Sequence, residues 1–343
     1  MKRLKSICIL LMMVLLSLPT LANEQQEGEA LNIPEIVLHH LADAYEWHIV
    51  SDVSIPLPII IRSSQTGEWH FCTAHSLPDG FFFNEEAHGK IYERMADGTT
   101  ERPWDLSITR NVLQIWIVVA LLLTVFLCCA RWYKKHDKTS DAPSGFVGVI
   151  EMLVMMINDS VIKSSIGEKH YRKYAPYLLT VFFFIFFTNL LGLLPIFPGG
   201  SNVTGNINIT FFLAICTFLA INLFGNKEYW KDIFWPNVPI FLKAIPLMPV
   251  IELFGVFTKP FALMIRLFAN MMAGHAMILS FSCVIFLGWT LGVGMGIGLN
   301  LFSLVMLLFM NALELLVAFV QAYVFTMLSA VFIGLAHQEH HDE

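Results

Sequence analysis

The sequence has few charged residues. Of its 343 residues, 14% are Asp, Glu, Lys or Arg and 56% are hydrophobic, whereas about 25% of the residues in soluble domains are charged. So few charges cannot cover a water-facing surface. The apolar residues also form runs of about 20, the length of helix that crosses the hydrocarbon core of a bilayer. The composition therefore predicts a polytopic membrane protein of the all-α class.

Motifs of catalysis and of metal binding are missing too. The six cysteines show no CxxC or similar spacing. The chain has no HExxH, GxSxG or P-loop pattern, and no basic patch indicates nucleic acid. We therefore expect a non-catalytic protein without a cofactor, a metal site or a nucleic-acid partner. His70, Cys72 and His75, and the terminal histidines at 337, 340 and 341, are weaker alternatives for a metal.

The N-terminus has the pattern of a signal peptide, predicted over residues 1–22. Three basic residues precede the short apolar run Ile7–Leu18, and small residues surround a cleavage point after Ala22. An uncleaved anchor helix is the alternative. Either interpretation exports residues 23–110 to the periplasm, a segment with 15 acidic and 5 basic side chains. Four β-prone runs are predicted there: Trp47–Val50, Ile55–Arg62, Trp69–Thr73 and Gly80–Asn84.

Five apolar segments are long enough for membrane helices. They are predicted at about Val112–Ala130, Tyr177–Phe197, Ile207–Gly225, Pro246–Leu287 and Gly292–Ala336. Residues 131–174 carry eight Lys or Arg. These cations favour a cytoplasmic location for that segment, an external N-terminal segment and a cytoplasmic C-terminus. The shorter apolar segment 144–163 is typical of an interfacial helix.

The last two segments are unusually long. Each predicted helix would measure about 60 Å, twice the hydrocarbon thickness of about 30 Å, and an ordinary tilt of about 20° cannot absorb the difference. We predict helices that are strongly tilted, kinked at Pro249 or Pro260, or both. That shape suits wrapping along a curved partner. The chain shows no internal repeat, which argues against an inverted-repeat transporter.

Four ionisable residues within the predicted spans are the functional candidates: Glu252, Arg266, His275 and Glu314. Charge in a membrane span is costly, and by default it indicates function. No carboxylate lies three or four residues from Arg266. Because a guanidinium does not release its proton, Arg266 can act only as a fixed positive charge.

The last helix carries a narrow polar stripe. Asn311, Glu314 and Gln321 are spaced by three and then seven residues, which puts them on one face together with the small Ala318. If His275 faces Glu314 across an antiparallel helix pair, the register is fixed. It then predicts three further meetings: Asn270 with residues 318–319, Arg266 with residues 321–323, and Glu252 with residues 336–337. This layout indicates two proton-accessible regions separated by a fixed positive charge.

Structural roles remain open for the same residues. Arg266 could form an internal ion pair with Glu314, and Glu252 could be a solvated carboxylate at the membrane surface. His275 could be a satisfied core histidine. Asn270 and Gln321 could only join helices through hydrogen bonds.

Three motifs resemble the a subunit of F-type ATP synthases. Lys259-Pro260-Phe261 followed by the run Arg266–His275 resembles the signature of that family. Gln321–Phe325 resembles its last-helix motif, and Thr204–Thr210 resembles a third motif at the start of a span. The resemblance covers about residues 110–340. Residues 23–110 lie largely outside it and are interpreted as a lineage-specific extension.

The resemblance implies a non-catalytic stator channel subunit of a proton-translocating ATP synthase. In that family, protons enter through one half-channel, ride a rotating c-ring, and leave through the other half-channel. The implied partners are the c-ring subunits, b-type peripheral stalk subunits, the rest of the complex, membrane lipid and protons. Residues 111–343 would form the proton-channel domain in a bacterial inner membrane.

The resemblance also implies roles for single residues. Arg266 would be the essential charge, and its carboxylate partner would come from the ring. The remaining candidates divide by path: Asn270, His275, Glu314 and Gln321 line the outer half-channel, Glu252 lines the cytoplasmic one, and Asn208 and Asn311 are weaker candidates.

This chain departs from the commoner bacterial pattern at several positions. Many members carry Glu where this chain has His275 and His where it has Glu314, so that acid and imidazole are exchanged as a pair. Asn206 stands in place of a common Asp, which argues against an ionisable role there. Ala269 replaces a common Gly.

Two other functions stay open. A self-contained ion-coupled transporter would hold its substrate site within one chain and would work without partners. A membrane-anchored sensor would act through residues 23–110 and would survive deletion of the last two helices. Coupling to H⁺ or to Na⁺ also stays open, because the selective site would lie on the ring.

Overall fold

The structure, a computed structural model, places short strands before a series of helices. It describes residues 42–50, 53–84, 89–95, 97–136, 143–194, 199–234, 247–290 and 293–337. The predicted signal peptide, residues 1–22, lies outside these ranges, as do His340 and His341. The chain divides into two compact units. One takes in the described parts of Met1–Ile117, Leu191–Val203 and Met272–Leu315, and the other those of Val118–Leu190, Thr204–Met271 and Leu316–Glu343.

The N-terminal segment of the first unit is built from antiparallel strands. Their bounds are β1 Glu46–Val50, β2 Val53–Pro56, β3 Pro58–Arg62, β4 Trp69–Thr73, β5 Phe81–Asn84, β6 Lys90–Arg94, β7 Thr100–Glu101 and β8 Trp104–Asp105. They form a β1-β2 hairpin and two sheets of order β4-β3-β8 and β5-β6-β7. The predicted β-structure is confirmed. The prediction lacked β6, β7 and β8, because β6 carries three charged residues and the other two are only two residues long.

The core of this segment follows from the alternation of β3. Ile59 and Ile61 are fully buried, whereas Pro58 and Arg62 at the strand ends are exposed, as expected for a strand with one face on a core. Tyr45 and Ile91 complete the buried cluster.

The two three-stranded sheets are also joined by hydrogen bonds to a buried carboxylate. The hydroxyl of Ser63 donates to Glu93 Oε1 at 2.5 Å, and the backbone N–H of Ser64 donates to Glu93 Oε2 at 2.7 Å.

Seven helices follow in the described part of the chain, apart from single short turns. Their bounds are α1 Arg110–Lys135, α2 Phe146–Ile157, α3 Tyr171–Gly192, α4 Ile207–Phe224, α5 Lys227–Phe234, α6 Leu247–Thr290 and α7 Val293–Leu335. Five of them, α1, α3, α4, α6 and α7, are long and apolar enough to cross a membrane. The predicted number of spans is confirmed. The last two helices have 44 and 43 residues and measure about 65 Å each, which confirms their predicted length.

Some boundaries were wrong. Helix α3 begins at Tyr171 rather than at Tyr177, because Pro176 in its second turn removes one backbone hydrogen bond without ending the helix. The same helix ends at Gly192, before the predicted end at Phe197. The amphipathic helix α5 was not predicted. Helix α2 continues through a π-helical turn, Asn158–Lys163, and is too short to cross a membrane.

The core of the second unit is a large apolar cluster around α3. Phe182 and Phe183 are fully buried at its centre. Helix α6 contributes Leu263, Leu267 and Met271, which are buried at intervals of four residues, the spacing of one helix face. Between them on α6, Ile265, Arg266, Ala269 and Asn270 are exposed.

Candidate functional site

The last two helices pair antiparallel in the predicted register. In the first unit, His275 meets Glu314. In the second unit, the Lys259 ammonium lies 5.6 Å from the centre of the Phe332 ring. Both contacts join residues whose numbers add up to nearly the same value, as an antiparallel pair requires. The predicted meeting of His275 and Glu314 is therefore confirmed.

The ring of His275 is held at both nitrogens. Nδ1 lies 2.6 Å from Glu314 Oε1, and Nε2 lies 3.3 Å from the carbonyl oxygen of Gly192. The side chains of His275 and Glu314 are 16% and 3% exposed. A carbonyl oxygen only accepts, so the hydrogen bond to Gly192 requires a proton on Nε2. One further proton then lies between Nδ1 and Oε1, on either the imidazole or the carboxyl group.

The carboxyl group of Glu314 also depends on a glycine. A Cβ atom on Gly274 would lie 2.9 Å from Glu314 Oε1 and 3.1 Å from its Cδ. Any larger residue at position 274 would therefore force the carboxyl group to move. The other oxygen, Oε2, is buried and has no hydrogen-bond partner among the described residues. It is the free end of the pair, where a further proton or a water molecule can bind.

The second unit holds the other main candidates, and these are mostly exposed. Arg266, Asn270 and Glu252 are exposed, whereas Gln321 is 7% exposed. Within the described ranges, no residue forms an ion pair with Arg266. Glu314 pairs with His275. The predicted places of Arg266 near residues 321–323 and of Asn270 near residues 318–319 stay predictions.

Glu252 lies close to α5. Burial raises the pKa of the Tyr229 phenol, and the negative charge of Glu252 raises it further. The Tyr229 hydroxyl also donates a weak hydrogen bond of 3.4 Å to Asn222 Oδ1. Sequence reasoning missed Tyr229, since α5 itself was not predicted.

The weaker candidates have local partners. The side chain of Asn206 caps α4 by accepting from the backbone N–H of Asn208 at 3.0 Å, which an amide does as well as a carboxylate. The side chain of Asn208 itself is exposed. The Asn311 amide donates to the carbonyl oxygen of Leu307 on its own helix at 2.8 Å.

A chain of buried polar groups that sequence reasoning missed supports the stripe on α7. The Thr204 hydroxyl donates to Asn189 Oδ1 at 2.7 Å, and the Asn189 amide donates to the carbonyl oxygen of Ala318 at 3.5 Å. All three residues are at most 1% exposed. Ala318 lies between Glu314 and Gln321 on α7. The sequence did contain a signal for this contact: Asn189 is the single asparagine in α3, which is rich in Phe and Leu. Polar residues in membrane helices join helices through hydrogen bonds.

Metal-binding geometry was not found. Among the residues that the structure describes, no group of three or more His, Cys, Asp or Glu could hold a metal ion. His75 lies 3.8 Å from Glu46. The described cysteines are free thiols.

Comparisons with known proteins agree with this geometry. The family model "ATP synthase A chain" matches residues 112–334. ATP synthase subunit a of Chlorobium phaeobacteroides is 44% identical over 278 residues, which cover 78% of this chain and 76% of that protein. ATP synthase subunit a of Chloroherpeton thalassium is 41% identical over 277 residues, which cover 78% of this chain and 78% of that protein.

The N-terminal segment has relatives of its own. A model named "Domain of unknown function (DUF8433)" matches residues 36–106. ATP synthase subunit a of an Anaeromyxobacter species is 34% identical over 93% of this chain, a share too large to leave that segment out. The segment is therefore shared with this relative and matches a family model of its own, and its interpretation as a lineage-specific extension stays a prediction. Since the family model and the relatives cover all five membrane helices, the chain belongs to the ATP synthase A chain family, the membrane-sector proton-channel subunits of F-type ATP synthases.

Proposed function

We propose that the polar residues of α6 and α7 form two half-channels, with Arg266 as the fixed charge between them. The observation that carries this proposal is the hydrogen bond of 2.6 Å between His275 Nδ1 and Glu314 Oε1, which joins two mostly buried ionisable groups on α6 and α7. The Glu314 carboxyl group is 3% exposed and its Oε2 has no hydrogen-bond partner among the described residues, which supports a role in proton transfer.

The pair works as a proton relay on the outer path. A proton that reaches Glu314 Oε2 from the external side makes the carboxyl group neutral. The proton shared with His275 then stays on the imidazole, which becomes an imidazolium that can pass one proton on. Since the Gly192 carbonyl keeps the ring oriented, the exchange needs no movement of the backbone. Asn270 and Gln321 then carry the path onward as hydrogen-bonding groups.

Arg266 serves as an electrostatic partner for a carboxylate on another polypeptide. It is exposed and has no ion-pair partner among the described residues. Two opposite charges about 4 Å apart attract by about 4 kcal/mol at an effective dielectric constant of about 20. That attraction favours the ionised form of a c-ring carboxylate and so its release of a proton. The same charge repels protons that would otherwise leak straight across.

Glu252 receives the released proton on the cytoplasmic side. Its charge acts on Tyr229, so the amphipathic helix α5 belongs to the surroundings of this exit. We assign Asn208 and Asn311 supporting roles only, since neither side chain bonds to another helix among the described residues.

The domain arrangement completes the proposal. Residues 1–22 are a signal peptide, residues 23–110 a periplasmic domain, and residues 111–343 the proton-channel domain in a bacterial inner membrane with a cytoplasmic C-terminus. Within the ATP synthase complex, the direct partners are the c-ring and b-type peripheral stalk subunits. The chain itself has no catalytic role, and it works with H⁺.

Replacement of Arg266 tests the proposal. ATP synthase that carries Arg266→Ala should assemble and hydrolyse ATP but should not acidify vesicles, measured with a pH-sensitive dye. The matched control is Ile265→Ala, the exposed apolar neighbour, which should pump normally. Coupled pumping by the assembled Arg266→Ala enzyme would overturn the assignment. Ion transport by the purified chain alone in liposomes would favour the self-contained transporter.

A further inference from the structure

The sheet of β4, β3 and β8 has an exposed aromatic face. Two cross-strand rows form it, since Arg62 pairs with both Trp69 and Trp104, and Ile60 pairs with Phe71 and accepts the N–H of Leu106. The large apolar members are 46% (Trp69), 76% (Phe71), 72% (Trp104) and 61% (Leu106) exposed. The opposite side of β3 packs on the core. We call these six residues the aromatic face.

The aromatic face differs in charge from the rest of its segment. Residues 23–110 contain 15 acidic and 5 basic side chains, yet the face contains no acid. Its one ionisable group is Arg62, whose guanidinium lies 5.9 Å from the centre of the Trp69 ring. Tryptophan and arginine are the residue types that lie where lipid headgroups meet acyl chains, because an apolar body is joined to a polar end.

The sheet is fastened to the first turn of the first membrane helix. The N–H of Ile108 donates to the carbonyl oxygen of Pro58 at 3.1 Å, and that of Arg110 donates to Ala44 at 2.9 Å. The N–H of Asn111 donates to Asp43 Oδ1 at 3.1 Å. The first of these bonds reaches β3, and the other two join the first residues of α1 to the residues before β1. Together they fix the N-terminal segment to the start of α1.

The aromatic face is also close to the start of the span. Leu106 precedes Arg110 by four residues, which is at most about 14 Å of chain. Within the same unit, α1 exposes Trp116, which is 70% exposed. Leu106 of the aromatic face and the exposed Trp116 thus both lie within six residues of Arg110, the first residue of α1.

We propose that the aromatic face docks on the lipid bilayer, with its aromatic rings at the boundary between headgroups and acyl chains of the outer leaflet. The choice of leaflet rests on the proposed export of residues 23–110, but lipid contact itself does not depend on the roles of Arg266, His275 or Glu314. Docking gives the domain of residues 42–106 a function: it anchors the outer end of α1 at a fixed depth.

Tryptophan quenching tests this contact in the assembled ATP synthase in lipid nanodiscs. The difference between the wild type and a Trp69→Phe/Trp104→Phe variant isolates the fluorescence of those two rings. Most of that difference should disappear when the lipid is replaced by phosphatidylcholine brominated close to the headgroup, and acrylamide in the water should have little effect. The control is Trp47→Phe, because Trp47 belongs to the same domain but is 3% exposed, so brominated lipid should leave its signal unchanged.

Each other outcome overturns the proposal. Quenching by acrylamide but not by brominated lipid would mean that the aromatic face lies in water. Quenching by neither would mean that a protein subunit covers it. Neither result would affect the proton-channel assignment, since the measurement does not depend on proton movement.

A charge variant provides a second measurement. Phe71→Glu places a carboxylate on the most exposed member of the aromatic face and should reduce the quenching of Trp69 and Trp104 by brominated lipid several-fold. Thr100→Glu, at an exposed position on the other three-stranded sheet, should leave it unchanged. Equal quenching in Phe71→Glu and the wild type would contradict the proposal.

Discussion

The two units of the chain treat their functional charges differently. In one, His275 and Glu314 are buried and bonded to each other, and the ring is also bonded to a backbone carbonyl. In the other, Arg266 is exposed and lacks an ion-pair partner among the described residues. On the proposed roles, the pair that relays a proton on the outer path is completed within the chain, whereas Arg266 is left for a carboxylate of another polypeptide to complete.

This contrast predicts that substitutions at the two places affect stability and proton flow differently. Removal of one member of a buried ion pair costs about 3–5 kcal/mol, whereas an exposed side chain contributes within about 0.5 kcal/mol. Variants of His275 or Glu314 should therefore affect both the fold and proton flow. Variants of Arg266 should affect proton flow alone.

The largest effect on proton pumping is expected from Glu314→Gln. An amide keeps the shape of the side chain but cannot pass on a proton, so ATP-driven proton pumping should fall by about 100-fold or more. The double exchange His275→Glu with Glu314→His retains one acid, one imidazole and one shared proton, and it should recover most of the activity. Dye-based pumping assays on assembled enzyme measure both. Equal pumping by Glu314→Gln and the wild type would remove Glu314 from the path.

A smaller effect is expected from Gly274→Ala. The added Cβ would lie 2.9 Å from Glu314 Oε1, so the carboxyl group must shift, and misplacement of this size should slow pumping by about 10-fold. Gly255→Ala is the matched control on the same helix, because nothing lies within 4 Å of its added Cβ. If both variants pumped at the same rate, the close approach of Gly274 would have no functional meaning.

The smallest effect is expected from Asn189→Leu. This variant loses the hydrogen bonds to Thr204 and to the carbonyl oxygen of Ala318, and interhelical hydrogen bonds in membranes are worth about 0.6 kcal/mol on average. Denaturation in detergent should show a loss of about 1 kcal/mol, with a modest loss of pumping. Thr204→Val should do the same, and the two changes should not add. Thr180→Val, whose hydroxyl bonds only its own helix, should be neutral.

The predictable part of the site was the part fixed by helical spacing. The predicted register started from the assumption that His275 faces Glu314 on an antiparallel helix, and the structure contains that meeting. Asn189 could not be placed in that way, because its partners are a hydroxyl and a backbone carbonyl that are distant in sequence. Every residue type has a backbone carbonyl, so the sequence does not show which residue accepts such a hydrogen bond.

The fold shows the same division. The five spans and the two long helices followed from hydrophobic length, and they are present. Strand β6 was missed because Lys90, Glu93 and Arg94 hide its pattern, although Ile91 and Glu93 are its buried members. From the sequence alone, a carboxylate such as Glu93 is expected at the surface, although it is buried and accepts two hydrogen bonds.

Photo-crosslinking from α6 tests whether another polypeptide lies against Arg266. A photoreactive amino acid at position 269, exposed and three residues from Arg266, would be activated in native membranes and its adducts identified by mass spectrometry. Position 223 on α4, which is 71% exposed, serves as the control for lipid contact. The account predicts that position 269 captures a small membrane subunit with a carboxylate in its helix, and that position 223 does not. Adducts with lipid alone at position 269 would contradict it.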